Sequence, residues 1–155
     1  MNVFRISRTV PTLICLIISA VALSATAEDD KPRPAHHLTI AVGNRLYPDF
    51  HETHKTEMHE RVIVGDTEYS FEVVKFYPHF ARIDSTKQIL SLSDEPTNVA
   101  FKFAVYENDS IVDTSWSFFN LQVPHFARTS YLYFNVLEFE YRGEILKQGS
   151  VGQSR

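Results

Sequence analysis

The alternation of large apolar and polar residues, at the period of a β-strand, is the feature that most constrains this chain. Phe101, Phe103 and Val105 share one parity, whereas Lys102 and Tyr106 share the other. Successive side chains of a strand point to opposite faces of its sheet, so this pattern predicts a strand with one buried face. No segment keeps apolar residues at the helical spacing, and we therefore expect little helix.

Turn-forming residues divide the chain into further segments of this kind. Residues 108–110 predict the turn of the clearest hairpin, and residues 65–68 that of another. Roughly seven such strands favour an all-β fold, an antiparallel β-sandwich of the immunoglobulin-like type. A partly open barrel is the alternative. Trp116 is the expected centre of the core, and the alternation breaks at Val74 and Phe76, which predicts a bulge or a doubly buried stretch just before Pro78.

The first 27 residues predict export. Arg5 and Arg8 precede an apolar stretch at 10–23, which ends in Ala25-Thr26-Ala27. The stretch is shorter than the roughly 20 residues that span a bilayer, so residues 1–27 are typical of a cleaved signal peptide, and no stable membrane anchor is expected after cleavage. The only cysteine lies within this segment. A small exported domain without disulfides favours the bacterial envelope, so we expect a periplasmic or secreted protein.

The remaining chain predicts one domain with flexible ends. Residues 28–37 combine charge and proline and are expected to form a flexible leader. The sandwich is predicted over 38–142, and residues 143–155 lose the strand pattern and are expected to form a flexible tail. Within the domain, the polar residues 51–61 predict a long loop.

A pentapeptide occurs twice, as Pro78-His79-Phe80-Ala81-Arg82 and again at 124–128. Because proline lacks a backbone donor, each copy is expected to end a strand, and the two corners would lie side by side at the rim of the sandwich. The repeat fits either a recurring structural corner or a paired site. An arginine fork suits a carboxylate, which favours an envelope protein or a small acidic ligand as partner; alternatively, each arginine pairs with a local acid such as Asp84. The candidate binding residues are His79, Phe80, Arg82, His125, Phe126 and Arg128.

Histidines suggest a second kind of site. His51, His54 and His59 lie among glutamates, and imidazole and carboxylate are suitable ligands for zinc or copper. If the two corners meet, His79 and His125 would be further ligands for a metal or a haem iron. The alternative is a solvated polar loop with no metal.

Composition and motifs disfavour two classes of function. The net charge is −4, and no cluster of lysine and arginine provides a basic stripe for nucleic acid. The chain has no Gly-x-Ser-x-Gly turn and no phosphate-binding glycine loop, and it contains five glycines in total. We therefore expect a protein that is not an enzyme and does not bind nucleic acid.

Three stretches resemble a known family. They are residues 75–80, with the proline-histidine corner, residues 91–106, with a Ser-rich turn through Pro96, and residues 116–126, with Trp116. Together they are similar to the periplasmic domain of the ResB-like family of cytochrome c assembly proteins. The resemblance covers about residues 73–126 and implies a β fold and a link to cytochrome c assembly. The chain departs from the family at Asn98-Val99, where the family tends to have proline, and it lacks the family's several membrane spans.

The sequence as a whole predicts a non-catalytic exported binding module of the bacterial envelope. The alternative is a periplasmic carrier of metal or haem that uses its clustered histidines.

Overall fold

The structure, a computed structural model, describes residues 34–120 and 131–149. These residues form ten strands, all paired antiparallel within their sheets. The strands are β1 (His36–Asn44), β2 (His51–Thr56), β3 (Arg61–Ile63), β4 (Tyr69–Tyr77), β5 (Phe80–Ile83), β6 (Gln88–Ser91), β7 (Ala100–Glu107), β8 (Ser110–Phe118), β9 (Leu132–Tyr141) and β10 (Glu144–Lys147). The all-β prediction is confirmed, with more strands than the seven or so expected.

Two four-stranded sheets enclose the core. The first sheet has the order β10-β9-β1-β2, the second has the order β3-β4-β7-β8, and β5 and β6 form a separate two-stranded ribbon. Aromatic rings join the two sheets, because Phe103 of β7 stacks on Phe134 of β9 at 4.3 Å between ring centroids. Phe71 of β4 lies 5.0 Å from the same Phe134 ring. The described strands therefore form a sandwich and do not close into a barrel.

The core consists mainly of phenylalanine rings. Phe71, Phe101, Phe103, Phe119 and Phe139 are fully buried. Phe139 meets Phe101 and Phe119 edge to face, at 5.1 and 4.9 Å between centroids. Such contacts add about 0.5–1.5 kcal/mol per pair beyond the burial of apolar area. The predicted inward parity of Phe101, Phe103 and Val105 is confirmed.

Trp116 is not the centre of the core, and that prediction is wrong. It lies partly exposed on the outer face of the second sheet, opposite Lys102, whose amine is 5.9 Å from the ring. Ser117, the next residue, is the one that points inward, and its Oγ accepts a hydrogen bond of 3.2 Å from the backbone N–H of Val136. Because β8 comes this close to the backbone of β9, a small side chain fits the inner position and the large ring lies outside.

The predicted disruption before Pro78 is confirmed as a β-bulge. The register of β4 against β7 shifts between Val73 and Lys75, so Val74 is an extra residue on β4. The shift returns Phe76 to the buried face. The strand then ends at Tyr77, directly before Pro78, whose ring nitrogen cannot continue the ladder.

The predicted loop at 51–61 is wrong in its first half. Residues 51–56 form β2, an edge strand paired with β1 over six residues. Exposure alternates along it, with His51, Thr53 and Lys55 outside and Thr56 buried. Every residue of β2 is polar, so an apolar pattern could not reveal the strand. Its formation depends on the backbone groups that β1 presents for pairing.

The domain also extends beyond its predicted limits. β1 begins at His36, within the predicted leader, and Ala35 is fully buried before it. β10 lies in the predicted tail, where it pairs with β9 and Leu146 packs partly buried against the core. The predicted signal peptide lies outside the described residues. Within those residues, no helix has the length and apolar character needed to cross a membrane.

The stacked rings between the sheets give a direct test of the core. Phe103→Ala is expected to lower the free energy of unfolding by about 3–5 kcal/mol, because it removes a buried ring and leaves a cavity. Urea denaturation measures the change. Ile111→Ala is the matched control, since Ile111 lies on β8 with 61% of its side-chain surface exposed, and its effect should stay within about 0.5 kcal/mol. Equal losses for both variants would contradict this core.

Candidate functional site

The first proline-histidine corner is held tightly by the segment at 91–98. The backbone N–H of His79 donates to Ser91 Oγ at 2.9 Å, and its ring Nδ1 lies 3.0 Å from Ser93 Oγ. The Phe80 N–H donates to the Asn98 carbonyl at 2.8 Å, and Asn98 Nδ2 donates back to the Phe80 carbonyl at 2.7 Å. These bonds fix the backbone of the corner and orient the imidazole toward a serine. His79 is therefore part of a structural corner.

Phe80 anchors the corner in an aromatic cluster. Its ring is 93% buried and meets Tyr77, Trp116 and Phe118 edge to face, at 6.0, 5.5 and 5.2 Å between centroids. Burial in this cluster raises the pKa of the Tyr77 hydroxyl. Phe80 thus packs against rings on the outer face of the second sheet, apart from the core between the sheets, while Arg82 is exposed on β5, in register with Ile89 of β6.

The second corner, at residues 124–128, lies outside the described residues. The structure therefore does not place His125, Phe126 or Arg128, and the side-by-side arrangement of the two corners stays a prediction.

The three histidines predicted to share a metal are directed apart. His51 and His54 lie three residues apart on β2, so they point to opposite faces of the first sheet. His51 Nδ1 lies 3.3 Å from the Tyr133 hydroxyl, whereas His54 Nε2 lies 2.9 Å from Glu52 Oε2. His59, in the turn after β2, lies 3.2 Å from Glu72 of β4.

No group of three or more histidine, cysteine, aspartate or glutamate side chains in residues 34–120 and 131–149 is arranged to hold a metal ion. Each of the three histidines instead has its own neighbour. His54 also packs edge to face on the core ring of Phe71, at 5.7 Å between centroids. His54 is therefore half-buried, with Glu52 of the edge strand on one side and the core residue Phe71 on the other.

A histidine pair that the sequence reading missed does converge on one carboxylate. His36 Nδ1 and His37 Nδ1 lie 3.5 and 2.5 Å from the two oxygens of Glu57. Neighbouring residues of a regular strand would point to opposite faces. Here His37 has a φ of 47°, and the register of β1 against β9 shifts between His36 and Thr39. This irregularity turns both rings toward Glu57. The position of His36 and His37 in the predicted leader gave no indication that they would contact Glu57.

We call His36, His37, Glu57 and Glu140 the histidine clasp. His37 Nε2 lies 3.8 Å from Glu140 of β9, and the His37 backbone N–H donates to Glu57 at 3.0 Å. Partial burial alone would raise the pKa of Glu57, but the hydrogen bond from the His37 backbone and the nearby imidazoles lower it overall. The clasp thus joins the start of β1 to the turn after β2 by a charge-dependent contact.

Exposed apolar side chains gather at the opposite end of the sandwich. We call Leu46, Tyr47, Tyr69 and Tyr131 the tyrosine rim. Their side chains are 61, 67, 36 and 64% exposed, respectively. The Arg45 N–H donates to the Tyr131 carbonyl at 2.8 Å, which brings the loop after β1 beside the start of β9. Tyr69 lies two residues before Phe71 and Tyr131 lies three residues before Phe134, and the Phe71 and Phe134 rings meet across the sheets at 5.0 Å between centroids, so the rim spans both sheets.

Asn98 provides a test of the corner. Asn98→Ala removes the bond to the Phe80 carbonyl and leaves that acceptor without its side-chain donor, so we expect a loss of about 1–3 kcal/mol in the free energy of unfolding. Ser93→Ala removes two solvent-exposed contacts, one with the His79 ring and one with the Glu95 N–H at 3.3 Å, and should change stability by less than about 0.5 kcal/mol. Urea denaturation distinguishes the two, and the reverse order would contradict the structural role of the corner.

The clasp predicts an acid-dependent contribution to stability. The folded pKa of Glu57 is lowered, so its carboxylate stabilises the fold above the unfolded pKa of about 4.3 and ceases to do so as the pH falls through the folded value. Glu57→Gln should therefore destabilise the protein near pH 5.5, by at most about 1 kcal/mol for so exposed a group, and progressively less toward about pH 3. Urea denaturation across this range measures the difference. Glu144→Gln, on β10, is the control, and an unchanging difference for Glu57→Gln would refute the pH dependence.

Comparisons with known proteins gave no relative to set beside these sites. No family model matches the sequence, and neither the curated proteins nor the solved structures yielded a match. The resemblance to the ResB-like family therefore stays a prediction that rests on the sequence motifs alone.

Proposed function

We propose that this chain is a non-catalytic binding module of the bacterial envelope that recognises a partner protein through the tyrosine rim. The observation that carries the proposal is the exposure of Leu46, Tyr47 and Tyr131, each above 60%, at one end of a domain in which most other aromatic rings of residues 34–120 and 131–149 are at least partly buried. Tyrosine supplies a large, rigid contact surface and is enriched where proteins bind one another.

The rim is held in place before any partner arrives. The Leu46 N–H donates to the Asn44 side chain at 2.8 Å, and the Phe50 N–H donates to the Tyr47 carbonyl at 3.0 Å, which closes the loop into a turn. Gly43 supports the same region, because a Cβ there would overlap the ring of Tyr133, which crosses it toward His51. A fixed loop loses little conformational entropy on binding, which favours affinity.

The corners have a different part in this proposal from the one that the sequence suggested. His79 and Phe80 shape the fold at the end of β4, and Arg82 remains a candidate contact on the ribbon. The signal-like segment at 1–27 supports an envelope location, and the ResB-like motifs suggest a link to cytochrome c assembly. The alternative of a metal or haem carrier has no comparable support from His51, His54 and His59, which point apart.

The test is a double variant, Tyr47→Ser with Tyr131→Ser. The full chain is used to isolate a partner from an envelope fraction; the partner is identified by mass spectrometry, purified, and titrated against each variant by calorimetry. Loss of two central aromatic contacts should weaken binding at least about tenfold, or about 1.4 kcal/mol, while the Tm changes little because both side chains are exposed.

Ile145→Ser is the matched control for this experiment. Ile145 is as exposed as the rim residues, at 62%, but it lies on β10 at the edge of the first sheet. It should leave the affinity unchanged. Equal binding by the double variant and the wild type, or the absence of any saturable partner, would refute recognition through the rim.

A further inference from the structure

The loops at the end that carries the tyrosine rim have an excess of negative charge. The loops at this end, residues 45–50, 64–68 and 107–109, carry five carboxylates and one arginine. Hydrogen bonds hold two of these loops together, since the Asn108 N–H donates to the Glu68 carbonyl at 3.0 Å. The carboxylates are Asp49, Asp66, Glu68, Glu107 and Asp109. Several like charges around an exposed apolar patch attract a ligand of opposite charge and repel one of the same sign.

The same end already contains an arginine bound by a tyrosine and a carboxylate. The guanidinium of Arg61 lies over the Tyr106 ring at 4.1 Å from its centroid, and its Nη1 lies 3.2 Å from Asp109 Oδ1. Arg61 also donates to the Asn108 carbonyl. A cation between a ring face and a carboxylate gains both cation–π and ionic attraction. The fold thus contains one filled example of this arrangement.

A second pair of the same kind lies on the rim itself. The Tyr69 hydroxyl donates to Glu107 Oε1 at 3.2 Å, and the charge of Glu107, followed by this hydrogen bond, raises the pKa of Tyr69. Within residues 34–120 and 131–149, no lysine or arginine forms an ion pair with Glu107 or Glu68. The Tyr69 ring is 36% exposed. Tyr106 is bonded in the same way, since its hydroxyl donates to Glu72 Oε2 at 2.8 Å while its ring face holds Arg61. The Tyr69 ring, with Glu107 at its hydroxyl, is therefore partly exposed in the arrangement that Tyr106 and Glu72 present to Arg61.

We propose that the partner presents a cationic segment to the tyrosine rim, with an arginine or lysine over the ring face of Tyr69 and beside Glu107, and with its apolar stem against Tyr47 and Tyr131. This inference rests on the proposed function and specifies its partner. It disfavours a second copy of this chain as the occupant, because two rims brought together would place like charges opposite one another. It equally disfavours an anionic ligand at this end.

The experiment tests which kind of peptide binds the rim without choosing its charge in advance. The full chain is immobilised and used to select from a displayed library of random peptides, and binders that also bind Tyr47→Ser with Tyr131→Ser are removed. The selected peptides are synthesised, and their affinities are measured by calorimetry at about 50 and 300 mM NaCl, concentrations between which the Debye length falls to less than half. We expect peptides of net positive charge whose binding weakens several-fold with salt.

Charge variants separate this inference from the function on which it rests. Glu68→Gln with Glu107→Gln keeps the shape of both side chains and should weaken the selected peptides about tenfold, while Glu144→Gln on β10 should not affect them. Neutral or acidic peptides that depend on the tyrosines but tolerate the glutamine variants would overturn the cationic partner and leave recognition at the rim intact. If no peptide depends on the tyrosines, both proposals fail. A dimer in sedimentation analysis that Tyr47→Ser with Tyr131→Ser dissociates would identify a second copy as the occupant and also overturn the inference.

Discussion

The contact on which this structure depends is the stack of Phe103 on Phe134 across the two sheets. The rings lie nearly parallel, at 5°, and Phe71 packs against both. The only cysteine of the chain is Cys15, so no disulfide within the chain can join the two sheets. Burial of aromatic surface must hold the sheets together, at about 25 cal/mol per Å² of apolar area removed from water. The alternating phenylalanines of β7 meet this requirement, because each second residue points into the same gap.

Irregular strands adapt this simple sandwich at its edges. The bulge at Val74 returns Phe76 to the core just before Pro78 ends β4. The left-handed backbone of His37 has a different effect, since it brings two neighbouring imidazoles onto Glu57. A β-bulge adds one residue to one strand and re-aims the side chains that follow. In this protein the bulge at Val74 allows Phe76 to pack in the core. The irregularity at His37 instead forms a contact between two histidines and a glutamate at the ends of β1 and β2.

The two ends of the sandwich consequently differ in character. One end carries the histidine clasp and the proline corner, where polar side chains are engaged with nearby groups such as Glu57, Ser91 and Asn98. The other end carries exposed tyrosines, and its loops contain five carboxylates. Hydrogen bonds and ion pairs within the molecule stabilise the first end, whereas the exposed aromatic surface at the second end gains free energy when a partner covers it. This contrast is why recognition is proposed at the tyrosine rim.

The sequence by itself determined the all-β class, the inward parity of Phe101 and Phe103, the disruption before Pro78 and the turn at Asn108, because each depends on local backbone geometry and a period of two. It did not reveal β2, whose residues are all polar. It also did not reveal the outward position of Trp116, because the alternation along β8 shows which residues share a face but not which face is buried. Only the tertiary structure decided these, since which side of a strand is buried depends on the sheet that covers it. For the same reason, the convergence of His36 and His37 on Glu57 and the position of Tyr131 beside Arg45 were decided by pairing between segments far apart in the chain.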